Sequence, residues 1–326
     1  MSNPLISVII CSFNRGPLIP ELLAGFRAKS ASVAGAWELL FVDNGSTDHT
    51  AEAVDAFVKE KALPIRRLLE PAKGKSFALN RGIKEAKSDF LVFVDDDIML
   101  DDGWFAAVFD ASNRHGVNMF GGRVIPVLPA NLPRWLVDRN NRPVFGGPLV
   151  NHDHGNVERE YNESMERHIG ANMLVRRSLF DKYGLFRTDL GPVGRVAIGG
   201  EDSEIGFRFM AAKERVLYYP RATVYHPIPP DRLRKSVFRR CYFNYGRGWA
   251  RFVDPPPGTV RYWNIPRYRL RHAAAALSRF ALSDIFLPAG ERFRRKADLL
   301  FLFGMIAGCY KDRHRTASPV PRSERT

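Results

Sequence analysis

The sequence predicts an α/β fold: a sheet that begins with parallel strands, helices on both of its faces, and a basic helical C-terminal segment. Three observations predict it. Short β-branched apolar runs alternate with helix-period segments over the first hundred residues, which is the pattern of βαβ units. Polar clusters fall at the carboxyl ends of those runs, where open α/β sheets bind ligands. Charge is also unevenly divided. Residues 1–220 carry 27 Lys+Arg against 28 Asp+Glu, whereas residues 221–326 carry 22 against 7. The whole basic excess therefore lies in the last third, as expected of a neutral body followed by a segment that meets something anionic.

Composition sets the bounds. With 326 residues, 45% hydrophobic and 26% charged, the chain suits one large or two modest globular domains. No apolar run approaches the ~20 residues that cross a bilayer. Leu299 to Tyr310 is too short, and Leu5 to Cys11 lacks a basic leader and a cleavage site. Cys11, Cys241 and Cys309 stand far apart, with neither disulfide nor zinc spacing, so a reducing cytoplasm is expected.

The elements follow in order. Leu5 to Ile10 reads as a strand covered on both faces. Pro17 to Lys29 places Leu18, Leu22, Leu23 and Phe26 on one helical face, with Pro17 in the first turn. A second strand, Trp37 to Val42, ends at Asp43-Asn44-Gly45-Ser46, and a helix follows from about Thr47 to Lys61. Pro64 to Leu69 is a third strand. Lys73-Gly74-Lys75-Ser76 opens a helix to about Lys87, and Phe90 to Val94 is the fourth strand. Right-handed crossovers then make the strands parallel. Further on, Glu201 to Ala212 reads as a helix, and Val216 to Tyr219 and Ala222 to Tyr225 as strands.

Three aspartates, Asp95-Asp96-Asp97, follow the fourth strand directly. Adjacent carboxylates repel, and a divalent cation with a polyphosphate relieves that repulsion. Alone, the triplet reads equally as an acidic turn. Cys11 to Arg15 and Asp43-Asn44 fall at the same rim, so these groups are expected to converge on one crevice. Lys73 to Ser76, at a helix start, suits an anion. His152-Asp153-His154 lies in a proline-rich stretch and reads as a solvated loop, since neighbouring side chains there rarely converge on a metal.

Five motifs in order resemble a family-2 glycosyltransferase of the GT-A fold: Ser7 to Arg15, Val42 to Asp48, Gly74 to Gly82, Val94-Asp95-Asp96-Asp97, and Gly199-Gly200-Glu201-Asp202. The resemblance covers about residues 5–230. It implies a mixed central sheet, a Rossmann-like nucleotide-binding half over 1–100 and an acceptor half over 101–230. The remainder, 231–326, reads as a basic amphipathic helical region with a disordered tail from about 313. The resemblance further implies a nucleotide-sugar donor, typically UDP-linked, and Mn²⁺ or Mg²⁺ as cofactor. Asp43, Cys11 and Phe13 would meet the base, with Arg15 and Lys73 beside them. Asp95 would bind ribose, Asp97 the metal, and Asp96 holds the variable middle position. His226 would complete the metal site, although a lone histidine reads equally as a satisfied loop residue. Asp202 would be the catalytic base of an inverting displacement, with Glu201 beside it on the acceptor side. Acids at a helix start also simply complement its dipole. Trp135 offers a stacking face for an acceptor sugar.

The implied activity is inverting glycosyl transfer to a saccharide or lipid-linked acceptor in cell-surface polysaccharide synthesis. Two rivals use the same residues. A haloacid-dehalogenase-type phosphatase shares the D-x-D string but places it on its first strand, and here three β/α units precede it. A non-catalytic polyanion-binding protein would use Arg232 to Arg251, which holds seven basic residues and no acid, interleaved with aromatics. Their helical spacing is better read as one face packed and one face basic, so no nucleic acid is expected. Basic amphipathic helices over 231–311 suit an anionic surface on the inner face of the cytoplasmic membrane.

Overall fold

A computed structural model describes residues 5–33, 37–138, 140, 143, 147–161, 170–193, 196–282 and 287–311. The expected disordered tail from about 313 lies outside them. The first half runs β1 (Ile6–Ser12), α1 (Ile19–Lys29), β2 (Trp37–Asp43), α2 (Thr50–Glu60), β3 (Ile65–Leu69), α3 (Lys75–Glu85) and β4 (Phe90–Val94). The second half continues with β5 (Met99–Leu100), α4 (Trp104–Asn113), β6 (Met119–Val127), β7 (Arg159–Glu160), β8 (Asn172–Arg176), α5 (Arg177–Tyr183), β9 (Gly191–Val193), β10 (Val196–Ile198), α6 (Glu201–Ala211) and β11 (Val216–Pro227). The C-terminal layer holds α7 (Lys235–Trp249), β12 (Arg261–Tyr262), β13 (Ile265–Pro266), α8 (Arg267–Ala281) and α9 (Ala289–Lys311).

The main sheet has the order β3-β2-β1-β4-β8-β6-β11-β5, with β7 alongside β11. β3, β2, β1 and β4 are parallel; β8 runs antiparallel to both β4 and β6, so the sheet is mixed. Every residue of β2 and β4 is buried, as the continuous apolar runs require of strands covered on both faces. Phe26, Trp37, Trp104 and Phe105 interlock edge-to-face on one side of the sheet. On the other side Phe93 meets Phe180 and Phe186.

Three local expectations change. The second helix starts at Thr50, not near Thr47, because side chains take the backbone N–H groups before it. Thr47 N donates to Asn14 Oδ1 at 2.7 Å, and Thr50 N donates to Asp48 Oδ1 at 3.0 Å. The two strands expected around Tyr219 are one, β11, with a register shift between Tyr219 and Thr223. The His152 run is solvated only in part: His152 is 2% exposed and bonded to Tyr161, while Asp153, exposed, accepts from Arg123 at 2.7 Å and half-buried His154 meets the Tyr218 ring. It sits under β6, where burial requires these partners.

α7 and α9 cross with their backbones in contact. A Cβ at Gly246 would lie 1.9 Å from Phe301 O, and one at Gly304 would lie 2.0 Å from Phe243 O. Among the described residues, no helix is long and apolar enough to cross a membrane.

Candidate active site

The carboxyl ends of β1, β2 and β4 open onto a crevice of about 450 Å³. Its floor is set by the loop after β1, which is stapled to the loop after β2. Asn14, at φ 54°, donates its backbone N–H to Ser46 Oγ at 3.0 Å, and its side-chain oxygen accepts from Thr47 N. Asn tolerates that left-handed backbone where most residues do not. Asn44 fastens the third loop: it donates to Glu70 O and Ala72 O and accepts from Gly74 N at 2.8 Å.

Cys11 and Phe13 line this wall. Burial pushes the Cys11 thiol far up, so it acts as a neutral apolar group. The Lys73 ammonium sits 4.7 Å from the Phe13 ring centroid and donates to Gly45 O at 2.7 Å. Asp43 is 3% exposed, and its Oδ1 accepts from Ser46 N at 2.8 Å; it lies behind the wall, and Asn44 reaches it instead.

The aspartate triplet divides its work by partner. Asp95 accepts from Lys75 Nζ at 2.6 Å. Asp96 is 8% exposed, with Arg15 Nε 3.7 Å away; burial and the neighbouring Asp97 charge push it up to about 6. Asp97 Oδ1 lies 3.1 Å from His226 Nε2, and its Oδ2 lies 3.4 Å from Arg232 and 3.6 Å from Arg15. Burial opposes its charge, but His226, Arg232 and Arg15 outweigh that and hold Asp97 well below the carboxylate range.

Ligand atoms of Asp95, Asp97 and His226 all lie within 4.8 Å of one another, the one such group among the described residues. Two carboxylates and an imidazole suit manganese or magnesium. Two arginines already crowd Asp97, so this carboxylate is built to face positive charge. His226 is 1% exposed and its buried Nδ1 has no hydrogen-bond partner among the described residues, so Nε2 is the atom aimed at the site.

The Gly199-Gly200-Glu201-Asp202 motif starts α6. Two short strands, β9 and β10, pair antiparallel just before it. Asp202 Oδ2 accepts from Gly170 N at 2.8 Å and Oδ1 from Ser203 N at 2.7 Å. Burial raises its affinity for a proton against those donors. Glu201, 5% exposed, is pushed up to about 7 by burial and by Asp202, with Lys75 acting against them. Lys75 Nζ stands 4.0 Å from Glu201 Oε1, and for all its burial the charges of Asp95 and Glu201 raise it well above an ordinary lysine.

Sequence reasoning named Lys73 and missed Lys75, two residues on, at the first turn of the same helix. It also missed Arg232, Cys241 and Tyr245, which bring the C-terminal layer to the crevice wall. The basic run containing Arg232 was the available signal. Trp135, half-buried, packs its ring edge-on against Phe238 at 5.0 Å and Phe293 at 4.6 Å and is not among the residues lining this crevice.

A profile described as "Glycosyl transferase family 2" matches residues 7–184. The succinoglycan biosynthesis protein ExoM of Rhizobium meliloti (strain 1021) is 23% identical over 305 residues, which cover 93% of this chain and 92% of that protein. A mannosyltransferase from Pyrobaculum calidifontis, solved with GDP-mannose and Mn²⁺, superposes with a TM-score of 0.60 at 18% identity, covering 96% of this chain and 88% of that one. TarS of S. aureus, solved over residues 1–349 with UDP, superposes at 0.50 with 16% identity, covering 94% and 91%. These likenesses show the GT-A-like fold.

Proposed function

The chain belongs to glycosyl transferase family 2, and from that premise we propose an inverting transfer of a sugar from a nucleoside-diphosphate donor, UDP-linked, to a saccharide or lipid-linked saccharide in polysaccharide synthesis. One observation carries the reading. Asp97 and His226 meet at 3.1 Å in a crevice whose basic lining is Arg15, Lys73, Lys75 and Arg232. The named ligands of the solved neighbours and the polysaccharide role named for ExoM support it.

Asp97 and His226 would hold a divalent cation, Mn²⁺ or Mg²⁺, which neutralises charge on a departing diphosphate. Phe13 offers a ring to the base, Asp43 a carboxylate behind it, and Asp95 an oxygen to ribose. Arg15 and Arg232, already within 3.6 Å of Asp97, are placed to share the negative charge that develops. Asp202 is the base. Its raised proton affinity suits removal of a hydroxyl proton from the acceptor, while Gly170 and Ser203 fix its orientation. One displacement then inverts the anomeric carbon.

The test is a screen of UDP- and GDP-sugars, with and without Mn²⁺, for thermal stabilisation and slow donor hydrolysis. Ligands of the native state raise its melting temperature. A chain that no nucleotide-sugar stabilises or that hydrolyses none would overturn the reading.

A further inference from the structure

We propose that the hairpin joining β12 to β13 is a membrane-interface anchor, with Trp263 as its inserted residue and an anionic lipid surface as its partner. Arg261 pairs with Pro266 and Tyr262 with Ile265, which leaves Trp263-Asn264 as a two-residue tip. Both tip residues have positive φ, 49° and 68°. Two-residue turns of that kind prefer Asn-Gly, and a bulky aromatic at positive φ is a strained outlier. Trp263 is nevertheless 73% exposed, so packing does not repay the strain.

Its surroundings point to lipid. Val260 is 55% and Tyr262 48% exposed on the same hairpin. Trp and Tyr favour the level of lipid headgroups, where one end is apolar and the other wet. Arg261, Arg267 and Arg271 are exposed beside them, in a segment whose charge balance is strongly positive. Basic residues next to an anionic leaflet are drawn to its negative surface potential.

The hairpin is also held rigidly. Arg267 N donates to Val260 O at 2.9 Å, Arg261 bonds the Asn264 side chain at 3.2 Å, and Asn264 Nδ2 donates to Cys309 O at 3.0 Å. The tip is thus tied to α9, which crosses the α7 that lines the crevice. The proposal extends the reading of a lipid-borne acceptor and rests on it for its purpose, not for its physics.

The full chain is mixed with vesicles of phosphatidylcholine alone or of equal phosphatidylcholine and phosphatidylglycerol, and bound protein is measured by cosedimentation at varied salt. Binding is expected to the anionic vesicles only and to weaken with salt. Trp263→Gly, which suits the backbone, is expected to lower partition about tenfold while leaving the melting temperature unchanged or raised. Lipids brominated near the headgroup are expected to quench wild-type tryptophan fluorescence more than that of Trp263→Phe. Equal partition of Trp263→Gly and wild type, no binding to anionic vesicles, or identical quenching would each overturn the proposal. Donor hydrolysis measured without vesicles tests the enzymatic reading separately.

Discussion

Lys75 Nζ donates to Asp95 Oδ1 at 2.6 Å, so the first aspartate of the triplet is neutralised by the first residue of α3. The same ammonium lies 4.0 Å from Glu201 on the other half of the protein. One cation therefore bridges the strand that carries the triplet and the helix that carries Asp202.

Lys75→Met keeps the stem and removes the charge. It is expected to destabilise the fold by on the order of 3 kcal/mol, as buried pairs do when one partner is lost. Urea unfolding measures this. Lys75→Arg should recover most of the stability, and full stability in Lys75→Met would show that the bridge is idle.

Asp97→Ala and His226→Ala test the cation site. Each is expected to lose the extra thermal stabilisation that Mn²⁺ gives in the presence of a nucleotide-sugar, because a ligand stabilises only the state that binds it. Removing Asp97 also leaves Arg15 and Arg232 facing each other without their common partner. Wild-type metal dependence in both variants would remove the assignment.

For Asp202→Asn the expected outcome is a separation of two readouts. Transfer should fall by about 10²–10⁴, the usual contribution of a positioned base. Nucleotide affinity should stay near wild type, since the proposed partner of Asp202 is the acceptor hydroxyl and not the nucleotide. Equal losses in both would make it a structural residue.

Much of this was legible in the sequence, for identifiable reasons. The parallel strands could be read because β1, β2 and β4 are buried on both faces and therefore mostly apolar. Asp97 and His226 were legible as candidates because one follows the end of β4 and the other lies next to the end of β11. Lys75 could not be told from Lys73 by composition: which of two lysines turns inward depends on where α3 starts, and Gly74, at φ 137°, sets that. The packing of Trp135 could not be read, because Phe238 and Phe293, which meet its ring, stand over a hundred residues away in the chain.

Glu201 gives a pH signature. Its folded value, raised from 4.5 to about 7, means that the native state holds a proton the unfolded chain has lost in that window. Stability is therefore expected to be highest below about pH 4.5 as far as this group is concerned, and to fall as pH rises towards 7. Glu201→Gln should flatten that slope in urea-unfolding curves taken across the window. An unchanged slope would place the proton elsewhere.

Gly248 tests whether the C-terminal layer sets the acceptor loop. A Cβ there would stand 2.1 Å from Gly199 O, and Tyr245 and Phe252 press on Gly199 and Gly200 from the same side. Gly200, at φ 110°, caps α6 and so aims Glu201 and Asp202. Gly248→Ala must push this backbone away, at a cost of about 1–3 kcal/mol for overpacking. Gly246→Ala creates a similar clash, but against Phe301 O in α9, away from the loop. If α7 positions the base, Gly248→Ala lowers kcat at saturating donor far more than Gly246→Ala does, at matched loss of melting temperature. If both variants lose activity only in step with stability, the helix supports the fold and leaves the base alone.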